Sequence, residues 1–150
     1  MNEKEIQENL SDIFNNSKFI TLATIDEDGW PRCTPLGWFA FDKQKEQIVF
    51  DNHSTTTHAE NLTRDPRCFI TIVNKDQPRS RSVNIKTLAR KLIGDEYKRA
   101  KKLILDKDLN ISDNIFAAPV GEIDIEKSRI ELRSDGSKRF YCYMTYKEEE

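Results

Sequence analysis

No apolar run in this 150-residue chain approaches the length that spans a bilayer as a helix, so a helical membrane protein is excluded. The first residues are charged and amphipathic rather than basic and then apolar. No secretory leader is expected, and the expected compartment is the cytoplasm. Charge of one sign is not in excess: 24 Lys and Arg stand against 26 Asp and Glu, a net charge of −2. A chain-wide attraction to nucleic acid is therefore absent. The basic stretches at 79–81 and 98–102 read as a loop and a solvated helix face. Cysteine is scarce, and Cys33, Cys68 and Cys142 lack the close paired spacing of a zinc site. They read as three reduced, largely buried thiols; the alternative is a nucleophilic Cys33 activated by its neighbour Arg32. No general acid–base pair, catalytic triad or metal constellation is present, so no catalytic residue is named. Repeats, linkers and low-complexity tracts are absent too, and residues 1–150 read as a single domain.

What is there reads mostly as strands. Residues 3–16 carry Ile6, Leu10, Ile13 and Phe14 at helical spacing, an amphipathic helix laid on a core. Residues 19–25 and 30–41 form a hairpin around the turn Asp26-Glu27-Asp28-Gly29. Pro31 and Pro35 remove ladder donors, so the return strand must be bulged or unpaired on one side, and Gly37 leaves room for a backbone or a flat ligand. Residues 47–51 are a third strand. A hydroxyl-rich segment then opens a helix over 58–64, which Asp65-Pro66 stops. Strands follow at 67–73 and, after a polar loop at 74–81, at 82–92, with Val83, Ile85, Thr87 and Ala89 on one side. Residues 94–107 are a helix with Tyr97, Ala100, Leu103 and Ile104 on its apolar face. Residues 110–118 are a short helix or a loop. Strands at 120–132 and 138–146 close the chain, whose last four residues are expected to fray. Hairpins dominate and no βαβ alternation occurs. The expected fold is mainly β with peripheral helices, an antiparallel split β-barrel.

Two segments differ from scaffold. Asn52, His53, Ser54, Thr55, Thr56, Thr57 and His58 join a strand end to a helix start, where free N–H groups favour an anion. They read either as a phosphate cradle or as an over-provided N-cap. Arg32 and Thr34 lie on the proline-interrupted strand, where a guanidinium suits a ligand carbonyl or phosphate or simply stays at the surface. Trp30 and Trp38 read as core or interface aromatics.

The order of these pieces, with Asn61-Leu62-Thr63-Arg64-Asp65-Pro66-Arg67 running into Cys68-Phe69-Ile70-Thr71-Ile72, resembles the pyridoxamine 5′-phosphate oxidase-like, FMN-binding split-barrel family. The resemblance covers about 14–92 and, more weakly, the last two strands. It implies a homodimer with FMN between the subunits and a small-molecule substrate or ligand. It also implies a cofactor site from Arg32, Thr34, Asn52, Ser54, Thr56, Thr57 and His58. Flavin-binding members often carry Arg-Lys where this chain has Thr57 and His58. The expectation is therefore a flavin-dependent oxidoreductase or, alternatively, a non-catalytic ligand-binding dimer with weakened flavin binding. A heme-binding relative would need His53 or His58 as axial ligand. If FMN binds, its phosphate is expected to raise the His58 pKa and to be held by the imidazolium.

Overall fold

A computed structural model describes residues 3–77, 81–107 and 114–148. Helix α1 is Glu3–Asn15, α2 is Thr57–Arg64 and α3 is Gly94–Leu105. The strands are β1 Ile20–Ile25, β2 Pro31–Leu36, β3 Phe39–Asp42, β4 Gln47–Asp51, β5 Arg67–Val73, β6 Arg81–Leu88, β7 Arg90–Lys91, β8 Ile115–Pro119, β9 Glu122–Ile123, β10 Arg129–Leu132 and β11 Lys138–Thr145. They form a seven-stranded sheet, β10-β11-β6-β5-β1-β2 with β9 also on β11, and a four-stranded sheet, β3-β4-β8-β7. This is the expected split barrel.

Two stretches expected as single strands pass from one sheet to the other. The 30–41 strand breaks at Gly37-Trp38, leaving β2 in the large sheet and β3 in the small one. The 82–92 strand breaks at Ala89 into β6 and β7, and the Ala89 N–H donates to the Pro66 carbonyl at 2.9 Å. Between the sheets lies the main core of Leu22, Phe50, Ile70, Ile72, Ile85 and Phe140, with the expected α1 residues Ile6, Leu10, Ile13 and Phe14 packed into it. Phe14 stacks on Phe41 at 4.2 Å between ring centroids. A second core lies under α3, where Ala100 and Ile104 meet Val49 and Ala117, with Tyr97 and Leu103 at its margin. Strand β4 contributes to both cores, which explains why it is apolar without alternation.

Prolines shape the edge of the large sheet. The Asp26 N–H donates to the Trp30 carbonyl at 2.8 Å, so even-numbered residues of β2 turn their backbone groups toward β1. Pro31 and Pro35 then fall on the outer edge, where a missing donor breaks no ladder bond. Among the described residues, nothing lies within 4 Å of where a Gly37 Cβ would be, so no close backbone approach occurs there.

Other expectations are corrected. Residues 115–118 are strand, because four consecutive buried apolar residues carry no period to separate helix from strand; 110–113 lie outside the described residues. The 120–132 strand is cut by a turn at 124–128, where the Ser128 N–H donates to the Asp124 carbonyl at 3.0 Å, into β9 and β10, which pair with different parts of β11. One pair, β6 with β11, is parallel. Arg79 within the 74–81 loop, and the last two residues, lie outside the described residues. Trp30 and Trp38 are 71% and 40% exposed and belong to no core. Cys33 is exposed rather than buried, because odd residues of β2 face the side of the sheet that none of the described helices covers. Cys68 and Cys142 are buried, and burial pushes their thiols up to about 12 and about 11.

Two outcomes follow. A thiol-specific chromogenic reagent should titrate Cys33 alone in the native protein and all three cysteines in denaturant. Gly121→Ala should cost about 3 kcal/mol or more in urea unfolding. Gly121 has φ +72°, and a Cβ there would lie 2.2 Å from the Thr145 carbonyl oxygen. Gly136→Ala, at φ +86° in open space, should cost about 1 kcal/mol.

Candidate functional site

Helix α2 lies at one end of β1 and separates two open grooves. It starts at Thr56, whose hydroxyl accepts from the Ala59 N–H at 3.3 Å and donates to the His53 carbonyl at 2.7 Å. It ends at Asp65, because the residue before a proline disfavours helical backbone.

The first groove, about 400 Å³, lies between α2 and the β1–β2 hairpin. Asp26, Glu27, Asp28, Arg32, Thr57, Glu60, Asn61 and Arg64 border it. Asn61 is its keystone. Its amide nitrogen donates to Thr24 Oγ1 at 3.0 Å and to Asp26 Oδ1 at 2.8 Å. Its amide oxygen accepts from Arg64 at 2.8 Å, and Arg64 also donates to the Ile25 carbonyl at 2.6 Å. Arg32 grips Asp26 with two bonds, at 2.8 and 3.1 Å. The Arg32 guanidinium and then the Asn61 amide hold the Asp26 carboxyl below the usual carboxylate range. These charges are too exposed for the pairs to add much stability; their effect is to fix positions.

The second groove, about 440 Å³, lies on the other side of α2. Ser54, Thr63 and Lys91 stand at its polar rim, and Phe116 supplies apolar floor. Beside it Asn52 is fully buried. Its N–H donates to the Asn114 carbonyl at 2.9 Å and its Oδ1 accepts weakly from Thr56 Oγ1 at 3.4 Å, but its Nδ2 has no partner. A buried unpaired donor is costly, and a ligand or water acceptor would relieve it.

The residues singled out in the sequence are thus split. Arg32 and Thr57 border the first groove, Ser54 the second, and Asn52 and Thr56 hold the loop between. Thr34 stands one repeat along β2, opposite Leu22, half-buried and outside the network. His58 is 9% exposed. Burial first, and the Arg32 charge second, lower its pKa. The rise expected with a bound phosphate would start from this lowered value. His53 is exposed, its Nδ1 2.8 Å from Thr55 Oγ1. Sequence reasoning missed Asp26, Asn61 and Arg64 as groove residues. The signal was the i, i+3 spacing of Asn61 and Arg64, which puts both on one helix face.

Among the described residues no three His, Cys, Asp or Glu side chains gather as for a metal, and no helix is long and apolar enough to cross a membrane. Two sheets sharing a core, with two open polar grooves flanking α2, define a split-barrel architecture. The sequence pattern of the family Pyridoxamine 5'-phosphate oxidase matches residues 6–130, and the chain belongs to that family. Comparison with curated proteins finds no match. Among solved structures it is similar to a heme binding protein from Mycobacterium smegmatis, at 24% identity and TM-score 0.63, over 76% of this chain and 50% of that one. The chain therefore spans half the length of the mycobacterial protein. It is also similar to the heme storage protein of Vibrio cholerae, at 17% identity and TM-score 0.61, over 80% and 90% of the two chains. An F420 reductase shares 18% identity at TM-score 0.56, over 71% and 89%. At these identities the likeness is one of fold.

The His58 surroundings give a signed expectation. By NMR its imidazole should titrate below 6.5, and Arg32→Gln should raise that value part of the way back, since a repelling charge is removed while burial remains. With the folded pKa depressed, the stability linked to His58 is complete above about 6.5 and is lost as pH falls toward the folded value. Unfolding followed from pH 8 to pH 5 should show this slope, and His58→Gln should reduce it.

Proposed function

We propose that this protein is a split-barrel homodimer that binds an FMN-class flavin beside α2 as an exchangeable ligand, without a tightly resident cofactor. One observation supports this above the others: among the described residues the α2 start offers mainly neutral donors, with Arg32 committed to Asp26 and Lys91 at the rim of the second groove. In this reading Arg32 and Thr34 line the ring side. Ser54, Thr57 and the free N–H groups at the helix start meet the ribityl end. Asn52 and Thr56 shape the loop, and the unpaired Asn52 Nδ2 gains an acceptor when a ligand binds. The donor set fits a hydroxyl-bearing, neutral chain end. It does not fit a phosphate dianion that fixed cations would hold, since Arg32 is committed to Asp26 and His58 is neutral. Charge-assisted bonds are about twice as strong as neutral ones, so their absence favours exchange over residence. A flavin that leaves readily favours the binding role over the oxidoreductase role of the family.

The dimer rests on the uncovered face of the large sheet. Thr21, Ala23, Thr71, Asn84 and Tyr143 are half-buried there, and Phe69 is 38% exposed, with none of the described helices over them. A second copy is the occupant this reading assigns, and the grooves alone are too open to enclose a flavin. Compartment follows the same reading: three unpaired cysteines suit the cytoplasm.

Light scattering should give twice the monomer mass at about micromolar concentration. Fluorescence titration should give an FMN dissociation constant on the order of 1–100 µM, and dialysis should strip the yellow colour. A monomer, or flavin retained through gel filtration, would overturn the proposal. A Soret band in the purified protein would replace flavin with heme, in line with the binding named for the mycobacterial and Vibrio structures.

A further inference from the structure

We infer that the site is indifferent to the flavin's phosphate, taking riboflavin and FMN alike through the ring and the ribityl hydroxyls. This rests on the flavin-binding reading above and names its ligand class more narrowly.

The geometry of both grooves carries it. In the first, the acids Asp26, Glu27, Asp28 and Glu60 outnumber the cations Arg32 and Arg64. Both arginines are already spent, Arg32 on both oxygens of Asp26 and Arg64 on the Asn61 side chain and the Ile25 carbonyl. A phosphate dianion there would have to break an existing pair and sit among like charges. The α2 cap is spent as well, because Thr56 Oγ1 both accepts from Ala59 N–H and donates to the His53 carbonyl. What remains beside α2 is the Thr57 hydroxyl and free helix N–H groups. Such donors serve a ribityl hydroxyl as readily as a phosphate oxygen, and the Thr57 hydroxyl can also donate or accept.

On the other side of α2, Lys91 borders the second groove with Ser54, but Glu60 and Arg64 stand there as well. An exposed ammonium on a flexible stem binds an anion weakly and is screened by salt. His58 lies between the grooves and is buried, so it adds no exposed charge to either. Among the described residues of one subunit, no two or more free cations therefore converge on one point, the arrangement that favours selective phosphate binding.

The test is a pair of fluorescence titrations, with riboflavin and with FMN, on the dimeric wild type and on two surface variants, Thr57→Arg and Lys91→Ala. Thr57 is exposed, so the arginine can be added without disturbing the core. Wild-type affinities within about threefold of each other are expected, with FMN binding changing little between low and physiological salt. Lys91→Ala should leave the ratio unchanged. Thr57→Arg removes one ribityl contact from both flavins but should tighten FMN about tenfold relative to riboflavin, which shows that the phosphate end lies at α2 and lacks a cation in the wild type. Wild-type FMN binding tenfold or more tighter than riboflavin overturns the inference and leaves the flavin reading standing. Selective loss of FMN binding in Lys91→Ala does the same. Binding of neither flavin overturns the reading and the inference together.

Discussion

Two strand crossings, at Gly37-Trp38 and at Ala89, hold this molecule in its shape. At each, one continuous extended segment leaves the seven-stranded sheet and joins the four-stranded one. The sheets are thereby fixed face to face over a shared core, and neither could bury its inner face alone. The crossings also set where the barrel splits. Helix α2 lies against β1, with one groove between it and the β1–β2 hairpin and the other toward β7 and β8 of the small sheet.

The Asn61 amide then converts that architecture into a site. It ties α2 to Thr24 and Asp26 and orients Arg64 through its oxygen. Asp26 in turn captures Arg32. The outcome is a chain of paired charges along the groove wall, with position specified and net attraction for an anion spent internally. On the outer side of the small sheet, Asp42 plays a structural counterpart. Burial alone would raise its carboxyl, but Arg99 and the Lys45 N–H outweigh that and hold it below the usual range. This ties the β3–β4 turn to α3.

Helix α1, the hairpin turn at Asp26–Gly29, the α2 boundaries and the alternation of β6 were all readable in the sequence. Ile6, Leu10, Ile13 and Phe14 are buried as their spacing implies, and Val83, Ile85, Thr87 and Ala89 are buried as theirs does. Family membership was readable from the run of segments between the first strand and Ile72. Less was readable of β8, whose four consecutive buried apolar residues carry no period, and of the 120–132 segment, where Gly121 turns the chain against the Thr145 carbonyl. The site residues were chosen by type, so Arg32 was credited with a free guanidinium. Its partner, six residues away across the turn, looked like an ordinary turn aspartate.

The sequence by itself determined which residues face a core and where the chain turns. Both are written in short-range patterns: the 3.6-residue and two-residue periods, the caps and the proline positions. Only the tertiary structure decided which strands share a sheet, that β6 and β11 run parallel, and that β2 has an exposed outer face bearing Cys33. Those facts depend on segments distant in sequence meeting in space, and alternation reads the same in either direction. The charge state of the site belongs to that second class. Whether Arg32 is free and whether His58 is charged are fixed by what folding brings beside them, here Asp26 and a buried helix face.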